Sequence, residues 1–161
     1  MGRSRDFLAL TKPRVVLMVL VTTAVGFYLG SQGRPPWPRL PLTLLGTALA
    51  AGGTIALNQF LEREVDARMA RTRRRPLPGG RLRPAEALWF GVAITVAGLV
   101  GLLAVGLLPA LVTAATGGLY LFAYTPLKRR SSLCLIVGAV PGALPPVTGW
   151  VAARGEFGIG V

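Results

Sequence analysis

Five long apolar segments, separated by short polar connections, constrain this chain more than any other feature of its sequence. A helix needs about 20 mainly apolar residues to cross the hydrocarbon core of a bilayer. Five segments qualify, of which the first and fourth are short: 15–30, 40–60, 85–107, 109–126 and 133–153. The mean hydropathy of +0.57 is also too high for an ordinary soluble domain. We therefore predict an all-α fold, a polytopic bundle of about five transmembrane helices.

The charge of the chain indicates its orientation in the membrane. The sequence has 18 lysine and arginine residues against 6 acidic residues, a net charge of +12. Such a surplus of positive charge indicates either an anionic partner or a concentration of cationic residues on one side of a membrane. If the N-terminus is cytoplasmic, every cationic residue except Arg34, Arg39 and Arg154 falls on the cytoplasmic side. We predict this orientation, with the lipid bilayer as a partner. Nucleic acid is not predicted as a partner, because no nucleic-acid-binding module is recognisable.

The residue types available for chemistry are few. Histidine is absent, which removes the commonest general base and the commonest haem ligand from this chain. Cys134 is the single cysteine and lies in an apolar run, so we predict that it is a small buried residue without a disulfide partner in this chain. Any chemistry must therefore depend on carboxylates, amides and cations.

One segment near the end of the second apolar run carries most of this chemistry. Asn58, Glu62 and Asp66 are spaced four residues apart, so they share one helix face. Hard oxygen ligands of this kind suit Mg²⁺, which usually takes one or two carboxylates together with phosphate oxygens. We predict that these three residues bind Mg²⁺ and are catalytic. Their spacing alone fits a solvated helix end of mixed charge equally well.

A basic loop over residues 63–84 comes directly after this segment. It contains eight arginines: residues 63, 68, 71, 73, 74, 75, 81 and 83. The planar guanidinium group can donate two parallel hydrogen bonds to a phosphate. A polybasic loop beside a membrane can also simply bind the anionic leaflet. Carboxylates and arginines so close together favour a diphosphate, held through Mg²⁺ on one side and by cations on the other.

These residues also carry a family resemblance. The segment 58–80, NQFLEREVDARMARTRRRPLPGG, resembles the first signature of the protohaem IX farnesyltransferases, a branch of the UbiA-type superfamily. Where the wider superfamily has Asn-Asp-x-x-Asp-x-x-x-Asp, this chain has Gln59 and Glu62 at the two middle acidic positions. Further matches are LTKPR at 10–14 and YTPLKR at 124–129. The resemblance spans nearly the whole chain.

The resemblance implies a nine-helix bundle whose cytoplasm-facing cavity ionises farnesyl diphosphate. The farnesyl cation would pass to a vinyl group of haem B (protohaem IX), and water would complete haem O. It also implies the plasma (inner) membrane of a prokaryote. Seven residues that the topology places on one side of the membrane are predicted to bind the diphosphate: Lys12, Arg14, Arg71, Arg75, Tyr124, Lys128 and Arg129. Arg73, Arg74 and Arg130 are predicted to contact the lipid leaflet instead.

The chain departs from the family pattern after the first acidic motif. The superfamily's second acidic motif and the histidine-containing elements of the haem branch are absent. We therefore interpret residues 1–161 as a truncated UbiA-type transmembrane domain, with its first acidic motif at 58–66. We expect it to need a missing C-terminal half or a partner subunit. Two alternatives stay open: a prenyltransferase for an aromatic quinone precursor, and a non-catalytic membrane module that binds anionic lipid or a partner subunit.

Overall fold

The structure, a computed structural model, describes residues 2–128 and 131–157, which are helical apart from turns. The helices are α1 (Gly2–Thr11), α2 (Pro13–Gly30), α3 (Arg39–Arg68), α4 (Pro84–Leu103), α5 (Leu107–Gly118), a π-helical segment (Leu119–Tyr124), α6 (Thr125–Leu127) and α7 (Cys134–Arg154). Among these residues are five candidate membrane spans, by length and composition, and the fourth runs from Leu107 to Leu127. The predicted all-α transmembrane bundle with five spans is confirmed, and the chain is an integral membrane protein.

The structure differs from the prediction in three main respects. The helix α3 continues past residue 60 to Arg68, because Leu, Glu, Arg and Ala in LEREVDAR are good helix formers. The acidic motif is therefore entirely helical and occupies the last turns of α3. The helix α4 ends at Leu103, four residues before the predicted end at residue 107, and a turn then leads to Gly106. The residues before the first span form a separate helix, α1, which was not predicted.

The helix α3 is at the centre of the bundle and contacts α2, α4, α5 and α7. Small residues allow these close approaches, as is usual for helices in lipid. A Cβ atom on Gly53 of α3 would lie 2.6 Å from the carbonyl oxygen of Gly91 in α4. A second such contact joins Gly46 and Gly98 of the same two helices. The position of the acidic motif is therefore fixed by close helix packing on α3.

One end of the bundle, which we call the polar face, consists of α1, the loop 69–83 and the ends of α3 and α4. Leu10 of α1 is fully buried there in a cluster with Ala56, Leu77, Leu82 and Ala87. The ring of Phe7 packs against Phe90, with 4.9 Å between their centroids. Ion pairs join Arg3 to Glu86 at 2.5 Å and Arg81 to Asp6 at 2.9 Å. These contacts hold α1 and the loop against the helices that carry the motif.

Candidate active site

The three predicted ligand residues lie together on the buried face of α3. Asn58, Glu62 and Asp66 are 3 %, 8 % and 5 % exposed, so the predicted shared face is present. Burying a carboxylate is costly unless it is paired and hydrogen-bonded. The solvated helix end that the spacing also allowed is therefore wrong for these residues.

Each carboxylate is paired with a cation from another segment. Lys128 Nζ lies 3.2 Å from Glu62 Oε1, and Asn58 Nδ2 donates to Glu62 Oε2 at 3.0 Å. Arg75 Nη1 donates to Asp66 Oδ2 at 2.5 Å. Two cations that the sequence predicted for diphosphate binding are thus brought to the two carboxylates.

Two threonines position these partners. Thr72 Oγ1 donates to the main-chain carbonyl of Asp66 at 2.8 Å, which ties the loop back onto α3. Thr125 Oγ1 lies 2.7 Å from Asn58 Oδ1 and 2.8 Å from the carbonyl oxygen of Tyr120, so its single proton can go to either acceptor. Thr125 follows the π-helical segment, a departure from α-helix that is frequent at functional sites. Sequence reasoning missed both threonines, although both lie in the segments that carry the family resemblance.

Lys12 lies at the junction of α1 and α2, near the same cluster. Its backbone is left-handed, with φ 46° and ψ 69°. Because the residue before a proline is disfavoured in the α region, α1 cannot continue through Lys12 into Pro13. Burial lowers the pKa of the Lys12 ammonium, nearby Arg75 and Lys128 lower it further, and Asp66 and Glu62 oppose them. Lys12 therefore lies within electrostatic reach of both ion pairs.

Gln59 turns away from this cluster. Its side chain is 2 % exposed, and Nε2 donates to the carbonyl oxygen of Leu10 at 2.6 Å. The residue at this acidic position of the superfamily motif therefore contacts α1 in this chain.

The remaining predicted diphosphate contacts are placed differently. Tyr124 stacks on Tyr120 at 5.2 Å, and Lys128 Nζ lies 6.0 Å from the centroid of the Tyr124 ring. Arg14 and Arg71 are exposed, and neither forms a salt bridge within residues 2–128 and 131–157. Arg129 lies outside the described residues, as does Arg130. Arg73 and Arg74 are exposed, as a contact with lipid headgroups would require.

An apolar cavity of about 240 Å³ lies next to the cluster, between α2, α3, α5, the π-helical segment and α7. Thr54 and Ile55, one helical turn before Asn58, line it from α3, and Tyr120 lines it from the π-helical segment. The opposite wall comes from Pro141 and Pro145 of α7. The site therefore combines a charged cluster with an adjoining apolar space.

The residues present fit a magnesium ion that keeps other ligands. Asn58, Glu62 and Asp66 offer oxygen atoms on one face, which is the donor chemistry that Mg²⁺ prefers. Within the described part of the chain, no cluster of three His, Cys, Asp or Glu residues is present. Two carboxylates and an amide would not enclose an ion, and Mg²⁺ usually retains waters and substrate phosphate oxygens.

The fold and the site together define a class: an integral membrane protein in which a buried cluster of paired charges adjoins an apolar cavity. The chain belongs to the UbiA prenyltransferase family, whose family model matches residues 19–161. The resemblance that the motif carries is thereby confirmed.

Relatives and solved structures agree with this assignment. The chain is 48 % identical to a protoheme IX farnesyltransferase of Solibacter usitatus and 45 % identical to one of Aquifex aeolicus, and it covers 55 % and 54 % of their lengths. These matches include 94 % and 96 % of this chain. The structure of a UbiA homolog from Archaeoglobus fulgidus bound to DMAPP and Mg²⁺ matches 96 % of this chain and 56 % of that one, with a TM-score of 0.82 and 22 % identity. The chain thus spans about half the length of the relatives it matches.

Proposed function

We propose that this chain forms the diphosphate-binding part of a protohaem IX farnesyltransferase. The complete protein would transfer the farnesyl group of farnesyl diphosphate to a vinyl group of haem B. The names of the relatives support haem B as the acceptor, in preference to an aromatic quinone precursor. A non-catalytic membrane module is disfavoured because the carboxylates are buried and paired. Residues 1–161 would be one part of the transmembrane domain, and the acceptor site would require the remainder.

One observation carries this proposal. Glu62 and Asp66 are buried on one face of α3, and each is paired with a cation from a separate segment beside an apolar cavity. A diphosphate is polyanionic and its isoprenoid chain is apolar, so a prenyl diphosphate matches both halves of the site. The archaeal homolog bound to DMAPP and Mg²⁺ supports the same class of ligand.

The residues of this chain would act mainly by electrostatics. When bound, Mg²⁺ supplies positive charge to the diphosphate and so stabilises it as a leaving group. Asn58, Glu62 and Asp66 would hold the ion, and Lys128 and Arg75 would turn from the carboxylates toward the diphosphate oxygens. Lys12 would add a third cation from the junction of α1 and α2. Donors that are already in place where charge develops cost little reorganisation during the reaction.

The cavity would hold the isoprenoid chain and protect the allylic cation. Its apolar walls exclude water, which would otherwise capture that cation before the acceptor does. Tyr120 lies between the cavity and the charged cluster, since it lines the cavity and its carbonyl oxygen lies near Thr125 Oγ1. We place the reacting carbon near this ring and the tail deeper in the bundle.

The orientation follows from the same proposal. The polar face would lie in the cytoplasm, where farnesyl diphosphate is dissolved, and the protein would reside in the plasma (inner) membrane of a prokaryote. The excess of arginine on this face agrees with the positive-inside rule.

The direct test of the proposal is ligand binding by this chain in lipid nanodiscs. We expect farnesyl diphosphate to bind in the presence of Mg²⁺. Removal of Mg²⁺ with EDTA should raise the dissociation constant by about tenfold or more, which corresponds to a loss of about 1.4 kcal/mol of binding free energy for each factor of ten. Farnesol, which has the chain without the diphosphate, is the control ligand and should bind much more weakly. Equal binding of farnesol and farnesyl diphosphate would contradict a diphosphate site.

A second prediction separates specific arginines from a diffuse basic surface. Arg75→Gln should raise the dissociation constant for farnesyl diphosphate by about tenfold, because a charge-assisted hydrogen bond contributes about 1.5–3 kcal/mol. Arg74→Gln is the matched control one residue away, and Arg71→Gln tests the exposed arginine that sequence reasoning placed at the site. The measurement is a binding titration of each variant at constant salt. Equal losses for all three variants would show that the loop acts as a diffuse cation cluster.

A further inference from the structure

The junction between α1 and α2 is held in an unfavourable backbone conformation. Lys12 has φ 46°, a left-handed conformation that residues other than glycine rarely adopt. Such conformations persist where the surrounding structure enforces them, and they cluster at functional sites. The residues that enforce the left-handed conformation of Lys12 should therefore be found among the contacts of α1.

The closest polar contact at this junction comes from Gln59. Its Nε2 donates to the carbonyl oxygen of Leu10, two residues before Lys12. The last carbonyl groups of a helix lack partners within the helix and need donors from elsewhere. Gln59 supplies one such donor from inside the bundle, where Leu10 is fully buried.

The chemistry of this contact explains why an amide stands at a position where the superfamily motif has an acidic residue. A carbonyl oxygen requires a donor, which the side-chain amide provides and an ionised carboxylate cannot. A carboxylate would also add negative charge beside the C-terminal end of α1, which already carries partial negative charge. Glutamine is therefore the residue that both reaches Leu10 and bonds to it.

We propose that Gln59 is a positioning residue, which fixes the C-terminal end of α1 and thereby sets the position of Lys12 at its junction with α2. The inference rests on the proposed function, since Lys12 there binds the diphosphate. Gln59 acts through Lys12 and does not itself touch the substrate. Apolar contacts also pack α1, Phe7 against Phe90 and Leu10 in the buried cluster, and Gln59 adds the hydrogen bond to the carbonyl end of the helix.

The first test follows amide hydrogen exchange in the chain in lipid nanodiscs, and it requires no ligand. Gln59→Glu should accelerate exchange at residues 8–12 by about tenfold or more, while exchange along α3 and α4 stays unchanged. Gln59→Met keeps the shape without the donor and should act in the same direction, so the test does not depend on one variant folding. Gln32→Glu makes the same chemical change in an exposed turn and should leave α1 unaffected. Unchanged exchange at residues 8–12 in both Gln59 variants would overturn the proposal.

The second test links Gln59 to Lys12 through a double-mutant cycle on the affinity for farnesyl diphosphate with Mg²⁺. Lys12→Ala should weaken binding about tenfold in the wild-type background and less than about twofold in the Gln59→Glu background, because the ammonium is already displaced. A merely structural role would leave the effect of Lys12→Ala equal in both, and that result would overturn the assignment. If the wild-type chain binds no farnesyl diphosphate, the proposed function fails, and the exchange comparison still decides whether Gln59 holds α1.

Discussion

Replacing Asp66 with alanine should abolish Mg²⁺-dependent binding of farnesyl diphosphate by this chain. The variant removes one of the two buried carboxylates and leaves the half-buried Arg75 without its partner. Loss of a residue that only supports a metal ligand costs about 10–100-fold in affinity, so loss of a ligand itself should exceed about 100-fold. In the complete protein, turnover should be lost as well.

The control for this variant is Glu64→Ala. Glu64 lies on the same helix, two residues away, but its side chain is 76 % exposed and pairs with Arg63 at the surface. Exposed ion pairs contribute about 0–1 kcal/mol, so this variant should bind normally. Both variants are titrated with farnesyl diphosphate at a series of Mg²⁺ concentrations. Normal affinity with an unchanged Mg²⁺ dependence in Asp66→Ala would refute the assignment of Asp66 as a metal ligand.

The second large effect concerns the packing of α2 against α7. A Cβ atom on Gly149 would overlap the carbonyl oxygen of Thr23 and lie 2.6 Å from the backbone nitrogen of Phe27. Backbone atoms cannot give way as a flexible side chain can, so Gly149→Ala must push the two helices apart. Overpacking typically costs about 1–3 kcal/mol, and we expect at least about 3 kcal/mol at this contact between backbones.

Gly142 offers a matched comparison in the same helix. A Cβ atom there would meet nothing within 4 Å. Gly142→Ala should therefore leave the free energy of unfolding unchanged or raise it by up to about 1 kcal/mol, because alanine is the better helix former. The measurement is unfolding in sodium dodecyl sulfate, followed by circular dichroism. Similar stability of the two alanine variants would show that α2 and α7 are not in such close contact.

The sequence predicted those parts of the site that depend on local spacing. The shared face of Asn58, Glu62 and Asp66 follows from the helical repeat, because residues four apart lie one above the other. The five spans follow in the same way from segment length and hydropathy. The sequence did not predict which cation pairs with which carboxylate. Lys128 lies 66 residues after Glu62, and the packing of the fourth span against α3 brings the two side chains together.

The helix α1 shows why the rest could not be predicted. It has ten residues and charged groups, and an isolated helix of this length is marginal in water. It forms here because Leu10 is buried against α3 and α4 and because Gln59 bonds to its last turn. Both contacts are tertiary. The resemblance to the acidic motif shows only that Gln59 lacks the charge found at this position in the superfamily. It does not predict the hydrogen-bond partner of Gln59, because Leu10 lies 49 residues earlier in the chain.

The contact between α2 and α7 also has a consequence for how the protein is assembled. The helices α3 and α4 are consecutive in the chain and can pack as soon as both are inserted. In contrast, α2 must wait for α7, more than a hundred residues later, before Gly26 and Pro146 can meet. Contacts between distant segments form slowly, because the intervening chain must first be ordered. During synthesis the first span therefore remains in lipid with one side uncovered, and the wall of the cavity closes when the fifth span arrives.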